Sequence, residues 1–251
     1  MKSAPGRGLL LASAITLAWL ILLIVLLGLN LHTWPLPVVV GAIFVRTLLQ
    51  TGLFIVGHDG MHGVLLPASR LWNDRLAALA LTLYAWLPYR RCRQHHRRHH
   101  LAPATAVDPD VHPDPAAGPL PWYLRFMAAY LGPAQLSLLV AGWALLGLLA
   151  LPFTPTAWLN VLLFCVVPLL ASSIQLFVFG TYLPHRRQRC AGSAGGAESL
   201  ELPEWLSLLA CYHFGYHSEH HDHPALAWFE LPRQRRIGRI VTVLAERSAR
   251  L

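Results

Sequence analysis

The chain has 251 residues, 55% of them hydrophobic and only 13% charged, with a mean hydropathy of +0.46. A soluble domain carries roughly 25% charged residues, so the composition excludes an ordinary soluble protein and reads as an all-α integral membrane protein, with residues 1–251 forming one domain. The net charge of +8 would suit nucleic acid, but the arginines lie beside apolar stretches, where the positive-inside rule explains them and no nucleic-acid partner is expected.

Gly8 to Leu29 is nearly all Leu, Ile, Val and Ala, and about 20 such residues cross a bilayer as a helix. The run is too long for a signal-peptide core and has no convincing cleavage site, so it reads as a retained span. Lys2 and Arg7 ahead of it place the N-terminus in the cytoplasm. Asn30 to Pro35 is a turn on the far side, and His32 within it is a lone polar residue. Pro35 to Gly57 returns. Arg46 and Gln50 interrupt it, and a charge at that depth must face protein or a carboxylate rather than lipid. This span delivers His58 and His62 to the cytoplasmic end.

Leu71 to Leu87 is apolar and helical in pattern. Were it to cross, His58 and His62 would lie on the opposite side from the next histidines, so it is expected to dip into the cytoplasmic leaflet or lie on it. Arg90 to His100 carries His96-x-x-His99-His100, and Leu101 to Pro121 is a Pro/Asp-rich loop. Trp122 to Leu151 is the third crossing, with a break at Gly132-Pro133 near its start. Pro152 to Pro155 is the second far-side turn, and Thr156 to Leu183 the fourth crossing, ending near His185. Gln188 to Ser199 reads as a flexible linker. Leu202 to Cys211 leads into His217-x-x-His220-His221, and Ile237 to Leu251 into a basic amphipathic surface helix. The sum is four transmembrane helices, interfacial helices and a His-rich cytoplasmic cap, with both termini in the cytoplasm. Cys92, Cys165, Cys190 and Cys211 form no Cys-x-x-Cys pair, and a disulfide framework is not expected.

Positions i, i+3 and i+4 share a helix face, so each His stretch is expected to point its imidazoles at one spot. Neutral imidazole is the commonest side-chain ligand for first-row metals. With His185 the candidate ligands number nine: His58, His62, His96, His99, His100, His185, His217, His220 and His221. His95 competes with His96, because His95 and His99 also have helical spacing. His213, four before His217, reads as a tenth ligand or as a group that orients one, whereas His112 and His223 are off-register. Metal-bound imidazole donates its other N–H to an acceptor, and Asp59, Asp108, Asp110 and Glu219 are candidates. Asp108-Pro109-Asp110 is equally readable as a plain turn. Nine histidines exceed one zinc, and no Glu-x-x-His pattern of the soluble di-iron bundles is present. An all-imidazole pair of sites suits iron and O2 chemistry, although ligand type alone leaves copper and manganese open.

The motifs His58-Asp-Gly-Met-His62-Gly63, His96-x-x-His99-His100 with Asp108-Pro109-Asp110, Phe179-Gly-Thr-Tyr-Leu-Pro-His185-Arg186 and His213-Phe-Gly-Tyr-His217-x-Glu219-His220-His221 resemble the membrane fatty-acid desaturase/hydroxylase superfamily of di-iron enzymes. Within it they are similar to the bacterial and cyanobacterial β-carotene ketolases (4,4'-oxygenases). Gly60 departs from the family's usual Ala, a change expected to bear on pocket shape. The resemblance implies two iron ions, O2 as co-substrate and oxidation of β-ionone ring carbon 4 through a hydroxyl and a geminal diol to a ketone. It also implies β-carotene or zeaxanthin as substrate, a ferredoxin-like electron donor docking on the arginine-rich face, and surrounding membrane lipid. Phe54, Trp86, Phe177, Phe179, Tyr182 and Phe214 are candidates to line an apolar tunnel. The alternatives are a fatty-acid desaturase, an alkane hydroxylase, a carotenoid 3-hydroxylase and, from another class, a metal transporter, which would need more mid-membrane polar residues than Arg46 and Gln50.

Overall fold

The computed structural model describes residues 6–191 and 197–248. Among them there are helices and turns and no strands. Four helices are long and apolar enough to cross a membrane: α1 (Arg7–Leu27), α2 (Leu36–His62), α6 (Pro133–Ala150) and α7 (Ala157–Arg187). Between and after them lie α3 (Arg70–Ala85), α4 (Tyr89–Leu101), α5 (Pro119–Tyr130), α8 (Glu204–Cys211), α9 (His217–Asp222) and α10 (Leu231–Ser248).

Both far-side turns meet at one end of the bundle, where helix termini leave carbonyls without intrahelical partners. Asn160 Nδ2 donates to the carbonyls of Leu26, Leu27 and Leu29 at 2.7–3.0 Å, and the Thr154 and Thr156 hydroxyls both reach the Leu29 carbonyl. One asparagine and two threonines thus tie α7 to the end of α1. The opposite end carries the histidines.

α3 descends antiparallel beside α2. Asn73 Nδ2 donates to the Gly60 carbonyl at 2.8 Å, and Gln50 Nε2 donates to the Tyr84 carbonyl at 2.6 Å. From Gly60 to Gln50 is about 15 Å of helix at 1.5 Å per residue. Trp86, at φ 55°, then reverses the chain into α4. The helix therefore dips and returns, which puts α2 and α4 side by side at the histidine end.

Three expectations need correction. The third crossing does not start at Trp122. Pro133, which has no N–H to continue a helix, separates α5 from α6, and α6 alone is long and apolar enough to cross. The linker expected over Gln188–Ser199 is helical as far as Ala191, while residues 192–196 lie outside the described ones. The tail helix already starts at Leu231 and runs to Ser248, with 249–251 outside the described residues.

Among the described residues, buried Arg46 has no carboxylate partner. Its Nε donates to the Phe164 carbonyl at 3.0 Å, its Nη1 to the Trp19 carbonyl at 2.8 Å, and its guanidinium lies over the Trp19 ring. Phe164 sits in a π-helical turn, Leu162–Val166, where the intrahelical hydrogen-bond register slips. Gln50 is also tied up, accepting from Trp19 Nε1 at 2.7 Å. These polar groups hold helices together, and both also border a largely apolar cavity. Cys92, Cys165 and Cys211 are buried and unpaired, and the side chain of Cys190 lies outside the described residues.

Candidate metal centre

The nine histidines come together at one end of the bundle in two adjoining groups. His58, His62, His96, His100 and His220 form one; His99, His185, His217 and His221 form the other, and within each group the nearest ring nitrogens lie within 4.8 Å of one another. The expectation that each stretch aims at a single spot is refined by this division. In both His-x-x-His-His stretches the first and last histidines share a group, and the middle one belongs to the other.

The elements explain the placement. α2 ends at Gly63, in the left-handed region at φ 81°, which leaves His58 and His62 one turn apart at its terminus. His185 follows a second π-helical turn, Val178–Tyr182, within α7. Such turns reset which face the following residues present. Tyr212 and His213, both with positive φ, break α8 from α9. His213 is consequently off the helix that carries His217. It stacks on Tyr216 and Trp228 and belongs to neither group. His95 also stands apart, its ring 5.6 Å from that of Tyr130, while His96 is a member. His32 and His112 lie away from both groups, and His223 pairs with Gln234 outside them.

Nε2 faces Nε2 within each group: His62 to His96 at 2.7 Å, His96 to His100 and His100 to His220 at 3.0 Å in the first, His99 to His221 at 3.0 Å and His217 to His221 at 3.1 Å in the second. Cis ligands at metal–nitrogen bonds of about 2.1 Å stand roughly 3 Å apart. His58 is 2% exposed, and neither of its ring nitrogens has a protein hydrogen-bond partner. A buried, unsatisfied imidazole is costly without a ligand. Burial, reinforced by the neighbouring imidazoles, holds His96, His217, His220 and His221 below the ordinary histidine range and brings His100 down to about 3. Neutral rings with free lone pairs are what a metal requires. The donor set therefore fits two divalent first-row ions, one per group.

Among the four carboxylates expected to orient ligands, Asp108 is the one within hydrogen-bond distance of an imidazole. Its Oδ2 stands 2.9 Å from His99 Nδ1 and also accepts from the Ala104 backbone N–H, while its Oδ1 accepts from that of Asp110. The turn and the contact to His99 are made by the same carboxylate. Burial lowers the His99 pKa, but the Asp108 hydrogen bond and Asp110 outweigh it and the net shift is upward. The proton on Nδ1 leaves the Nε2 lone pair facing His221. Asp110 is farther away, with Oδ2 3.9 Å from His99 Nδ1, and its Oδ1 accepts from Tyr130. Asp59 accepts the Trp228 backbone N–H at 3.3 Å and stands 3.6 Å from His58 Nδ1, too far for a hydrogen bond. Glu219 touches no imidazole; it binds Ser199 and Arg235, fastening α9 to α10.

A largely apolar cavity lies between α2, α3, α5, α6 and α7. Phe54, Phe126, Tyr130 and Leu176 line both it and a much smaller, tight chamber walled by His58, His96, His99 and His217. Of the expected tunnel aromatics, Phe54 and Phe214 line this path. Trp86 lines a neighbouring cavity, Phe177 and Tyr182 pack with Trp122, and Phe179 packs on the main core. Phe126, Tyr130 and Cys92 belong to no sequence motif, and their only signal is proximity to the Gly132-Pro133 break or to the second His stretch.

The family model for fatty acid desaturases matches residues 33–242. A β-carotene ketolase of Paracoccus sp. (strain N81106 / MBIC 01143) is 37% identical over 245 residues, 93% of this chain and 94% of that protein. One from Paracoccus sp. (strain PC1) is 38% identical over 234 residues, 91% and 92% of the two chains. A zeaxanthin 4-ketolase of Chlamydomonas reinhardtii is 38% identical over 205 residues, 78% of this chain and 44% of that protein. No solved structure matches.

Proposed function

The chain belongs to the fatty acid desaturase family, and from that premise we propose that it is a carotenoid ketolase: a di-iron, O2-dependent enzyme that oxidises β-ionone ring carbon 4 to a ketone. The observation that carries the proposal is that the apolar cavity lies against the histidine chamber, the two sharing Phe54, Phe126, Tyr130 and Leu176 as lining. Such an apolar cavity suits an end group of a carotenoid, with the polyene lying among lipid.

His58, His62, His96, His100 and His220 would hold one iron, and His99, His185, His217 and His221 the other. When bound, the two irons would supply O2 activation, which no side chain provides. The chain's own work is to keep the rings neutral, to fix the His99 tautomer through Asp108, and to keep water from the ring with Phe54, Phe126 and Phe214. Residues 1–251 act as one unit, because ligands are drawn from His58 through His221. Four crossings support a reading with both termini on one side, and Arg90, Arg93, Arg97 and Arg98 beside the His end favour the cytoplasm for it. An acidic ferredoxin-like donor would meet that arginine-rich face.

Expression in hosts that make β-carotene or zeaxanthin, followed by pigment chromatography, tests the proposal. Echinenone or canthaxanthin from the first host is the expected product, and astaxanthin from the second would extend the substrate range to 3-hydroxylated rings. Unchanged pigments overturn the reading. Altered fatty acids or new zeaxanthin would move the chain to another branch of its family.

A further inference from the structure

Ketone formation needs two oxidations of one carbon, so an enzyme that ends at the ketone must keep or recapture the alcohol. The chamber contains a group suited to that task. Tyr130, the last residue of α5, lines both the apolar cavity and the chamber. Its hydroxyl donates to Asp110 Oδ1 at 2.7 Å, and Asp110 lines the same chamber. Asp110 is itself fixed: its backbone N–H donates to Asp108 Oδ1 at 2.9 Å, and its carbonyl accepts from Trp122 Nε1 at 2.8 Å. A phenol has one proton to donate. With that proton committed to Asp110, the Tyr130 oxygen can only accept.

We propose, building on the ketolase reading, that Tyr130 accepts a hydrogen bond from the hydroxyl installed on ring carbon 4 and so holds the alcohol for its second oxidation. The hydrocarbon ring and the ketone have no O–H and gain nothing from an accepting oxygen. The alcohol and the geminal diol do. In the second oxidation the remaining C–H at carbon 4 becomes C–OH. One atom of O2 enters that bond, and the other leaves as water with two electrons and two protons from the external donor. The diol then loses one hydroxyl together with the other's proton as water, giving the ketone. Tyr130 transfers no proton in this sequence; it orients the ring and lets the ketone go.

Tyr130→Phe keeps the ring and removes the acceptor. In the β-carotene-producing host it is expected to raise the ratio of 4-hydroxylated to 4-keto rings by about threefold to tenfold, the weight of one neutral hydrogen bond. A second readout needs no turnover: binding of β-carotene, its 4-hydroxy and its 4-keto derivatives to purified, metal-free protein, followed by pigment absorbance. The wild type is expected to prefer the 4-hydroxy ring by a similar factor, and Tyr130→Phe to bind all three alike. A wild-type ratio and wild-type preference in Tyr130→Phe overturn the assignment while leaving the ketolase reading intact. A wild-type chain that yields no oxygenated carotenoid overturns both.

Discussion

The two imidazole groups share two helices, α4 and α9, which contribute to them in opposite proportions, while α2 serves one group alone and α7 the other. α4 gives His96 and His100 to the five-membered group and His99 to the four-membered one. α9 gives His220 to the five and His217 and His221 to the four. Helix geometry explains the exchange. At 3.6 residues per turn, i and i+4 are rotated by about 40°, whereas i+3 and i+4 are about 100° apart. The outer histidines of His-x-x-His-His therefore share one centre and the middle one serves its neighbour. Two such helices facing each other clamp two centres, and the stacked rings of His100 and His221, 4.3 Å apart, form the seam. The groups differ in support as well. The four-membered group has the Asp108 anchor on His99. The five-membered group borders a solvent-open recess lined by His62, His96 and His100 with Arg70, Arg93 and Arg97.

That difference should be largest when a ligand is removed. His217→Ala leaves three imidazoles in its group and is expected to drop metal content from two ions per chain to one and to end ketone formation. His62→Ala leaves four in the other group, so metal content should fall less even though activity is lost. His185→Ala tests the one ligand supplied by α7 and should match His217→Ala. Metal analysis of purified protein alongside pigment chromatography decides, and equal metal loss in His62→Ala and His217→Ala would erase the distinction between the groups.

Asp108→Asn is the next step down. It keeps the shape of the turn but removes the charge that holds His99 Nδ1–H, and a change of this kind typically costs about 10- to 100-fold in metal affinity or activity. The loss should be confined to one of the two ions. Competition with a chelator would show it as one weakened site beside an unchanged one.

Acid separates the groups more gently. In metal-free protein, His96, His220 and His217 are held below the ordinary value of 6.5 by burial and then by their neighbours, with His100 at about 3. The unfolded chain takes up protons as pH falls through 6.5, while these folded rings stay neutral. The unfolded state thus binds more protons, and stability falls with pH across the window between about 6.5 and about 3. His99, shifted upward, acts in the opposite sense: its contribution is full below 6.5 and is lost as pH rises through its folded value. Thermal unfolding of the metal-free protein should therefore be flat near neutrality and drop in mild acid. Asp108→Asn should steepen the drop by removing the one opposing histidine. A midpoint that holds steady from neutrality to pH of about 4 would contradict this.

Much of this is legible in the sequence. Charge deficit and apolar run length point to four crossings, and the need for His58 and His96 to meet on one side keeps α3 from being a fifth. The helical spacing of the histidines locates the centre. It does not reveal its division, because a shared face at i, i+3 and i+4 is about 100° wide and says nothing about how many centres that face sees. Local geometry defeats the reading at His213, where two consecutive positive-φ residues end the helix that spacing alone would continue. Spacing also misassigns Glu219, because its partner, Arg235, is far along the chain. Tyr130 escapes the sequence altogether, since a lone tyrosine becomes informative only when tertiary packing sets it beside Asp110.

The finest test concerns Gly60, between His58 and His62. Its departure from the family's usual Ala is expected to shape the pocket, but Gly60 faces α3 instead. A Cβ there would collide with the Ala77 methyl and come within 3.2 Å of Leu65 Cδ1. Two effects oppose each other in Gly60→Ala. Replacing a helical glycine gains about 1 kcal/mol in backbone preference, whereas overpacking a tight contact typically costs about 1–3 kcal/mol. The Ala77 methyl is short and rigid, so it cannot swing aside and α3 itself must shift; the packing cost therefore outweighs the backbone gain. The net loss should be small, about 1 kcal/mol, and should appear as a lowered unfolding midpoint. It should carry with it a slight weakening of the ion held by His58 and His62 and no change at the four-histidine group. Adding Ala77→Gly opens the space without touching any histidine, and the double variant should recover both the midpoint and the affinity. Failure to recover would mean that the contact between α2 and α3 does not set the position of the two α2 histidines.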